Sequence, residues 1–185
     1  MNGYVILGIV VFVLLIVGWV IRTYNKLVGL RNKVKDQWSQ VDVQLKKRFD
    51  LIPNIVETVK GYAKHESETF TAVVEARNSA LGAATPADEM EANNALSGAL
   101  NRLLALSEAY PELKADANFR SLQESLKDVE EKIAYSRQFY NDTVLKYKDA
   151  IEMFPSNIIA NMFGFKEEKF FEATEEEKQN VKVQF

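Results

Sequence analysis

From Tyr4 to Ile21 the chain reads YVILGIVVFVLLIVGWVI, without one charged side chain. As a helix rising about 1.5 Å per residue, this run reaches roughly 27 Å, the thickness of bilayer hydrocarbon. A helix satisfies its own backbone groups in lipid, whereas an irregular segment leaves them unpaired. Tyr4 marks one end and Trp19 and Ile21 the other, with Trp19 and Tyr24 placed where amphipathic rings favour the headgroup layer. No Lys or Arg precedes Tyr4, and Gly18-Trp19-Val20-Ile21-Arg22 is a poor cleavage site. The pattern therefore predicts a retained transmembrane helix over 4–21, not a cleaved signal peptide.

Beyond residue 22 the apolar positions change rhythm. Leu27, Leu30, Val34, Trp38, Val41, Leu45 and Phe49 recur every three or four residues, which is one face of a helix. Asp50-Leu51-Ile52-Pro53 predicts a turn, since Asp50 can cap a new helix and proline is tolerated only in a first turn. A second stripe follows from Ile52 to Leu81, with Gly61 as its weak point. Gly82-Ala83-Ala84-Thr85-Pro86 predicts the next turn, and Met90, Leu96, Leu100, Leu103 and Leu104 the face of a third helix. Tyr110-Pro111 interrupts again, and Asp116 or Asn118 can cap a fourth helix. Its stripe, from Phe119 through Leu126, Ile133, Tyr140 and Tyr147 to Phe154, is the clearest in the chain. Four such stripes joined by short turns predict an all-α fold: a transmembrane helix followed by an antiparallel up-down four-helix bundle. The expected organisation is a short external N-terminus (1–3), the span (4–21), the bundle (22–153) and an apolar, then acidic, C-terminal segment (154–185).

Charge sets an orientation. Arg22, Lys26, Arg31, Lys33 and Lys35 lie just past the span, and only the α-amino group precedes it. The positive-inside bias then puts the N-terminus outside and the residues beyond 22 in the cytoplasm. Beside a bilayer these five cations suit anionic lipid headgroups better than nucleic acid, because the aromatic interleaving used for base stacking is missing.

Composition narrows the chemistry. The 185 residues contain no cysteine and one histidine, His65, which removes thiol nucleophiles, thiolate metal sites and histidine-rich metal centres. No glycine-rich phosphate loop and no Gly-x-Ser-x-Gly turn is present. His65 and Glu66 are sequence neighbours and point apart on a helix, so His65 reads as a surface residue. Arg48, Asp50, Pro53 and Glu57 surround the first predicted turn, where caps and surface ion pairs, or an electrostatic latch between the first two soluble helices, account for them.

Several stretches together are similar to a known family. Tyr24-Asn25-Lys26-Leu27-Val28 opens the soluble part, and Gln37-Trp38-Ser39 leads into the run Val41 to Arg48. Asp50-Leu51-Ile52-Pro53-Asn54, Val56 to Tyr62, His65-Glu66, Ala76-Arg77, Leu104 to Pro111, Asn118-Phe119, Tyr140-Asn141 and Phe154-Pro155 follow. In these the chain resembles the LemA family of bacterial membrane proteins over essentially all of its length after the span. Gln37 and Ser107 depart from the pattern, standing where alanine is expected. The resemblance implies one N-terminal span, a cytoplasmic helical bundle and no assigned catalytic residue.

The C-terminal segment offers the best candidate interface: Phe154, Ile158, Ile159, Met162, Phe163, Phe165, Phe170 and Phe171. It either folds back over the end of the bundle or docks on another subunit or membrane protein. Membrane insertion ranks last, because the carboxylates from Glu167 onward are repelled by anionic lipid. The closing run Glu175–Phe185 receives no role. Taken together, the residues predict a non-enzymatic membrane-anchored scaffold or adaptor, contacting the bilayer and either its own copies or a membrane partner. It has no cofactor, nucleic acid or small-molecule substrate. The alternatives are a self-assembling envelope-remodelling or stress-response protein and, more remotely, a carboxylate-dependent hydrolase.

Overall fold

A computed structural model of the chain describes residues 3–171. All regular structure among them is helical: α1 (Gly3–Tyr62), α2 (Ser67–Leu81), α3 (Pro86–Ala109), α4 (Pro111–Ala115), α5 (Ala117–Glu152) and α6 (Ser156–Met162). The all-α expectation holds, and α1 opens with the apolar run. The carboxylates from Glu172 to Glu177 and the closing run Glu175–Phe185 lie outside the described residues.

The chain divides into two compact units, Met1–Gln37 with Phe139–Phe170, and Trp38–Gln138 with Phe171–Phe185. In the first, Leu27 and Val34 of α1 are buried, as are Tyr140, Val144, Tyr147 and Ile151 of α5. In the second, Val41, Leu45, Phe49, Ile52, Ile55 and Val59 of α1 are buried, together with the stripes of α2, α3 and the first half of α5. Here α2 and α3 pack along one another. Each fully buried Leu, Ile, Val or Phe is worth about 1.5–3 kcal/mol relative to exposure, which is why the stripes, and not helix propensity, fix these elements.

Two of the expected helix starts form as the sequence predicts. The Thr85 hydroxyl accepts from the Asp88 N–H at 3.2 Å, with Pro86 in the first turn of α3. Asp116 Oδ1 accepts from the Phe119 N–H at 2.8 Å and starts α5. Asp116 Oδ2 also accepts from the Tyr62 hydroxyl at 2.9 Å. The bond from Phe119, then that from Tyr62, holds the Asp116 carboxyl below the usual aspartate range.

The turn expected at Asp50–Pro53 does not form. α1 is continuous through it, with Pro53 inside the helix and Arg48, Asp50 and Glu57 on it. Proline lacks the N–H that would bond the carbonyl four residues back, and here that carbonyl belongs to Phe49. Arg77 of α2 supplies the missing donor: its Nε donates to Phe49 O at 3.0 Å. The break falls instead just after Gly61, in a turn at residues 63–66 that carries His65 exposed. His65 is thus a turn residue and not a helix-surface one.

Two predictions follow from these bonds. Arg77→Ala, measured by chemical unfolding of the full chain in detergent, costs about 1–3 kcal/mol by leaving a part-buried carbonyl unpaired. Pro53→Ala restores an N–H, so the same Arg77→Ala change costs clearly less in that background. Asp116 is bonded in its ionised form, so its stabilisation is present above the unfolded aspartate pKa of about 3.9 and is lost as pH falls through the lower folded value. Asp116→Asn should flatten that acid limb of the unfolding curve.

Candidate functional site

In the second unit the polar chemistry gathers around Arg48, one of the largest fully buried side chains in the structure, at 2 % exposure. Its position one helical step from Leu45 puts it on the buried face of α1. Two other helices meet it there. Glu130 of α5 forms an ion pair with Nε at 2.8 Å, and Ser97 of α3 accepts from Nη2 at 2.8 Å. Ser97 in turn donates to the Asn93 carbonyl at 3.1 Å. Burial pulls the Arg48 pKa down, the Glu130 carboxylate opposes that shift, and Arg137 reinforces it. Guanidinium nonetheless stays protonated at neutral pH.

Arg48 borders two cavities. A cleft of about 740 Å³ is floored by Leu100, Leu104 and Leu126 and rimmed by Arg120, Glu124 and Lys127. A smaller space of about 130 Å³ is lined by Asn93, Asn94, Arg137 and Phe171, among others. Arg137 lies over the Phe171 ring at 4.3 Å, and Trp38 meets the same ring at 6.3 Å. Glu89 of α3 has its pKa raised by burial and then by Asp42. Neither carboxylate lines these cavities or the third, lined by Lys60, Phe70 and Val74.

In the first unit the end of the apolar run meets the end of the chain. Tyr24 contacts Phe163 (ring centroids 4.8 Å) and Phe165 (5.7 Å), and Arg31 stands 5.2 Å from the Phe165 ring centre. The following strap is tied down by two polar contacts. Lys148 pairs with Glu167 at 3.1 Å, which raises the lysine pKa. Tyr140 donates its hydroxyl to Lys169 O at 2.9 Å, and burial, then Glu168, pushes its pKa up to about 12.

The predicted residues sort as follows. Tyr4, Trp19 and Ile21 are exposed. Arg22, Lys26, Lys33 and Lys35 are exposed, whereas Arg31 is half-buried against Phe165. Of the C-terminal candidates, Ile159, Phe165 and Phe171 are buried, which removes them from any open interface. Phe154, Ile158, Met162, Phe163 and Phe170 are exposed. The latch expected between the first two soluble helices has nothing to join, since both stretches lie in the continuous α1. Arg48 joins Glu130 and Ser97, while Glu57 makes only an exposed pair with Lys60 at 3.2 Å. Asn93 was missed, although its spacing from Met90, Leu96 and Leu100 marks a polar side chain on an apolar face.

Compared with known proteins, the sequence matches the model of the LemA family over residues 37–185. It is 24% identical to magnetosome protein MamQ of Magnetospirillum gryphiswaldense, over 92% of this chain and 73% of that protein. It is 26% identical to magnetosome protein MamQ 2 of Paramagnetospirillum magneticum, over 90% of this chain and 70% of that one. To protein LemA of Metamycoplasma hominis it is 24% identical, over 85% of this chain and 72% of the other.

The Arg48 contacts give a prediction. Arg48→Ala opens a void and removes the donor that Ser97 accepts from, while Glu130, 39 % exposed, stays solvated; the full chain should lose about 1–3 kcal/mol in chemical unfolding. Arg48→Lys keeps the charge without the fork that reaches both partners, and should recover only part of the loss.

Proposed function

The chain belongs to the LemA family, and on that premise we propose that it is a non-enzymatic, membrane-anchored helical scaffold. Family membership and the apolar N-terminal helix fit a membrane-associated helical protein. The observation that carries the proposal is that the apolar run has no protein cover: Tyr4 to Val17 are exposed throughout, yet contain no charge. In the proposed arrangement residues 4–21 span the inner membrane with the N-terminus outside. Arg22, Lys26, Lys33 and Lys35 stand exposed on the cytoplasmic side, facing headgroups.

The finer architecture belongs to the same proposal. Turns at residues 63–66 and 82–85, and the five-residue α4 between α3 and α5, make the connections short, which supports an up-down arrangement of α1, α2, α3 and α5 within the second unit. Its cleft, with a leucine floor and charged rim, has the composition of a surface that receives a partner rather than a reacting small molecule. A variant in which copies of the chain assemble on the envelope draws on the long helices and the exposed apolar residues Phe154, Ile158, Met162 and Phe163. The hydrolase reading has one supporting observation, the raised Glu89 pKa. That carboxyl lines none of the three cavities, so the scaffold is preferred.

Three measurements on the full chain test the proposal. Alkaline extraction should leave it in the membrane pellet. Protease added outside intact cells should leave the residues beyond 22 undigested. Crosslinking in the membrane should capture a second copy or another protein. Release by alkali contradicts the anchor, external digestion contradicts the orientation, and a bare monomer contradicts the scaffold.

A further inference from the structure

The corner between α5 and α6 is built in an unusual way. From Met153 to Phe165 the chain reads MFPSNIIANMFGF, thirteen residues with no charge. α6 buries Ile159 and Ala160 and turns Ile158 and Met162, four residues apart, outward. Met153, Phe154 and Phe163 join them, with Phe154 at 80 % and Met162 at 67 % exposure. Five large apolar side chains are thus exposed on α6 and the residues that flank it, while the other side of α6 is already packed. Within one unit, such a patch marks an interaction surface.

Its place in the fold identifies what covers it. Phe163 rests on the ring of Tyr24 at 4.8 Å, and Tyr24 is three residues past Ile21, where the apolar run stops. Three residues of helix rise about 4.5 Å, so the patch is anchored at the level where the helix leaves lipid. Burial on α1 begins there too, with Val20 half-buried and Thr23 buried, so protein takes over from lipid beside this corner. Aromatic and methionine side chains at that depth sit as interfacial anchors do. The cations Arg22 and Lys26 are exposed on the same stretch of α1 and favour an anionic headgroup layer.

The structure answers the nearest part of the objection raised by the acidic sequence beyond. The first carboxylate after the corner is Glu167, and it is paired with Lys148 at 3.1 Å. We propose that the exposed face of the α5–α6 corner (Phe154, Ile158, Met162 and Phe163) inserts into the interfacial layer of the bilayer beside the chain's own span. The corner is a second, shallow point of attachment. The proposal rests on the reading of residues 4–21 as a membrane anchor.

The absence of cysteine allows a direct test. Single cysteines at Phe154, Ile158 and Met162 carry an environment-sensitive dye in the full chain. The protein is reconstituted in vesicles of phosphatidylethanolamine and phosphatidylglycerol, with Leu14→Cys as the deep reference and Ala115→Cys, exposed on α4 and outside the cavities, as the aqueous one. The three exposed positions tolerate substitution, and circular dichroism checks that each variant keeps its helices. The expected result is blue-shifted emission at the corner, with quenching by lipids brominated near the headgroup severalfold above that at Ala115→Cys. Emission and iodide quenching equal to Ala115→Cys overturn the proposal, as does shielding from iodide without brominated-lipid quenching, which means a second copy covers the patch. If the Leu14→Cys dye escapes quenching by lipids brominated deep in the acyl chain, the anchor itself is wrong, and that failure is distinguishable from failure of the corner alone.

Discussion

The constraint on which the structure depends is the mismatch between backbone and side chains over residues 4–21. As helix, the backbone has satisfied its own hydrogen bonds. From Tyr4 to Trp19 the side chains have nothing to bury against among the described residues. Water is a poor solvent for such a cylinder, and lipid gains about 0.3–0.6 kcal/mol for each Leu, Ile, Val or Phe placed near its centre. Over the run the sum reaches about 4–8 kcal/mol, comparable with the roughly 5–15 kcal/mol that separates folded from unfolded domains. The basic residues that follow and the uncharged corner at Tyr24 make physical sense only once that solvent is assumed.

Within the second unit two arginines solve two different problems on α1. Arg77 replaces the backbone donor that Pro53 lacks, so the helix crosses its proline without stopping. Arg48 is drawn inside and is tolerated because Glu130 and Ser97 answer its charge and its N–H groups. With Arg48 buried and Glu130 39 % exposed, the pair adds little net stability over an apolar replacement, yet a buried guanidinium without it is costly. Its effect is therefore to specify which faces of α1, α3 and α5 meet rather than to strengthen the core.

Much of this was legible in the sequence. The stripes Leu27–Phe49 and Phe119–Ile151 reappear as buried faces because a 3.6-residue period admits one inward side. Thr85 and Asp116 start helices because a short oxygen-bearing side chain can reach the free N–H groups. The proline at 53 misled, since its cost is set by whether another residue can bond Phe49 O, and Arg77 is 24 positions further on. The same blindness to distant partners hid Glu130 from Arg48. The C-terminal candidates split for a local reason: α6 is too short to be recognised by period, yet it decides that Ile159 faces in and Ile158 faces out.

The central claim is that lipid is the solvent of the first helical turns, and amide hydrogen exchange on the full chain in lipid nanodiscs tests it most directly. The account predicts that amides across residues 8–18 exchange far more slowly than those of the exposed turn at residues 63–66, and that protection fades from Arg22 to Lys26. Exchange of residues 8–18 at the rate of that turn would contradict it.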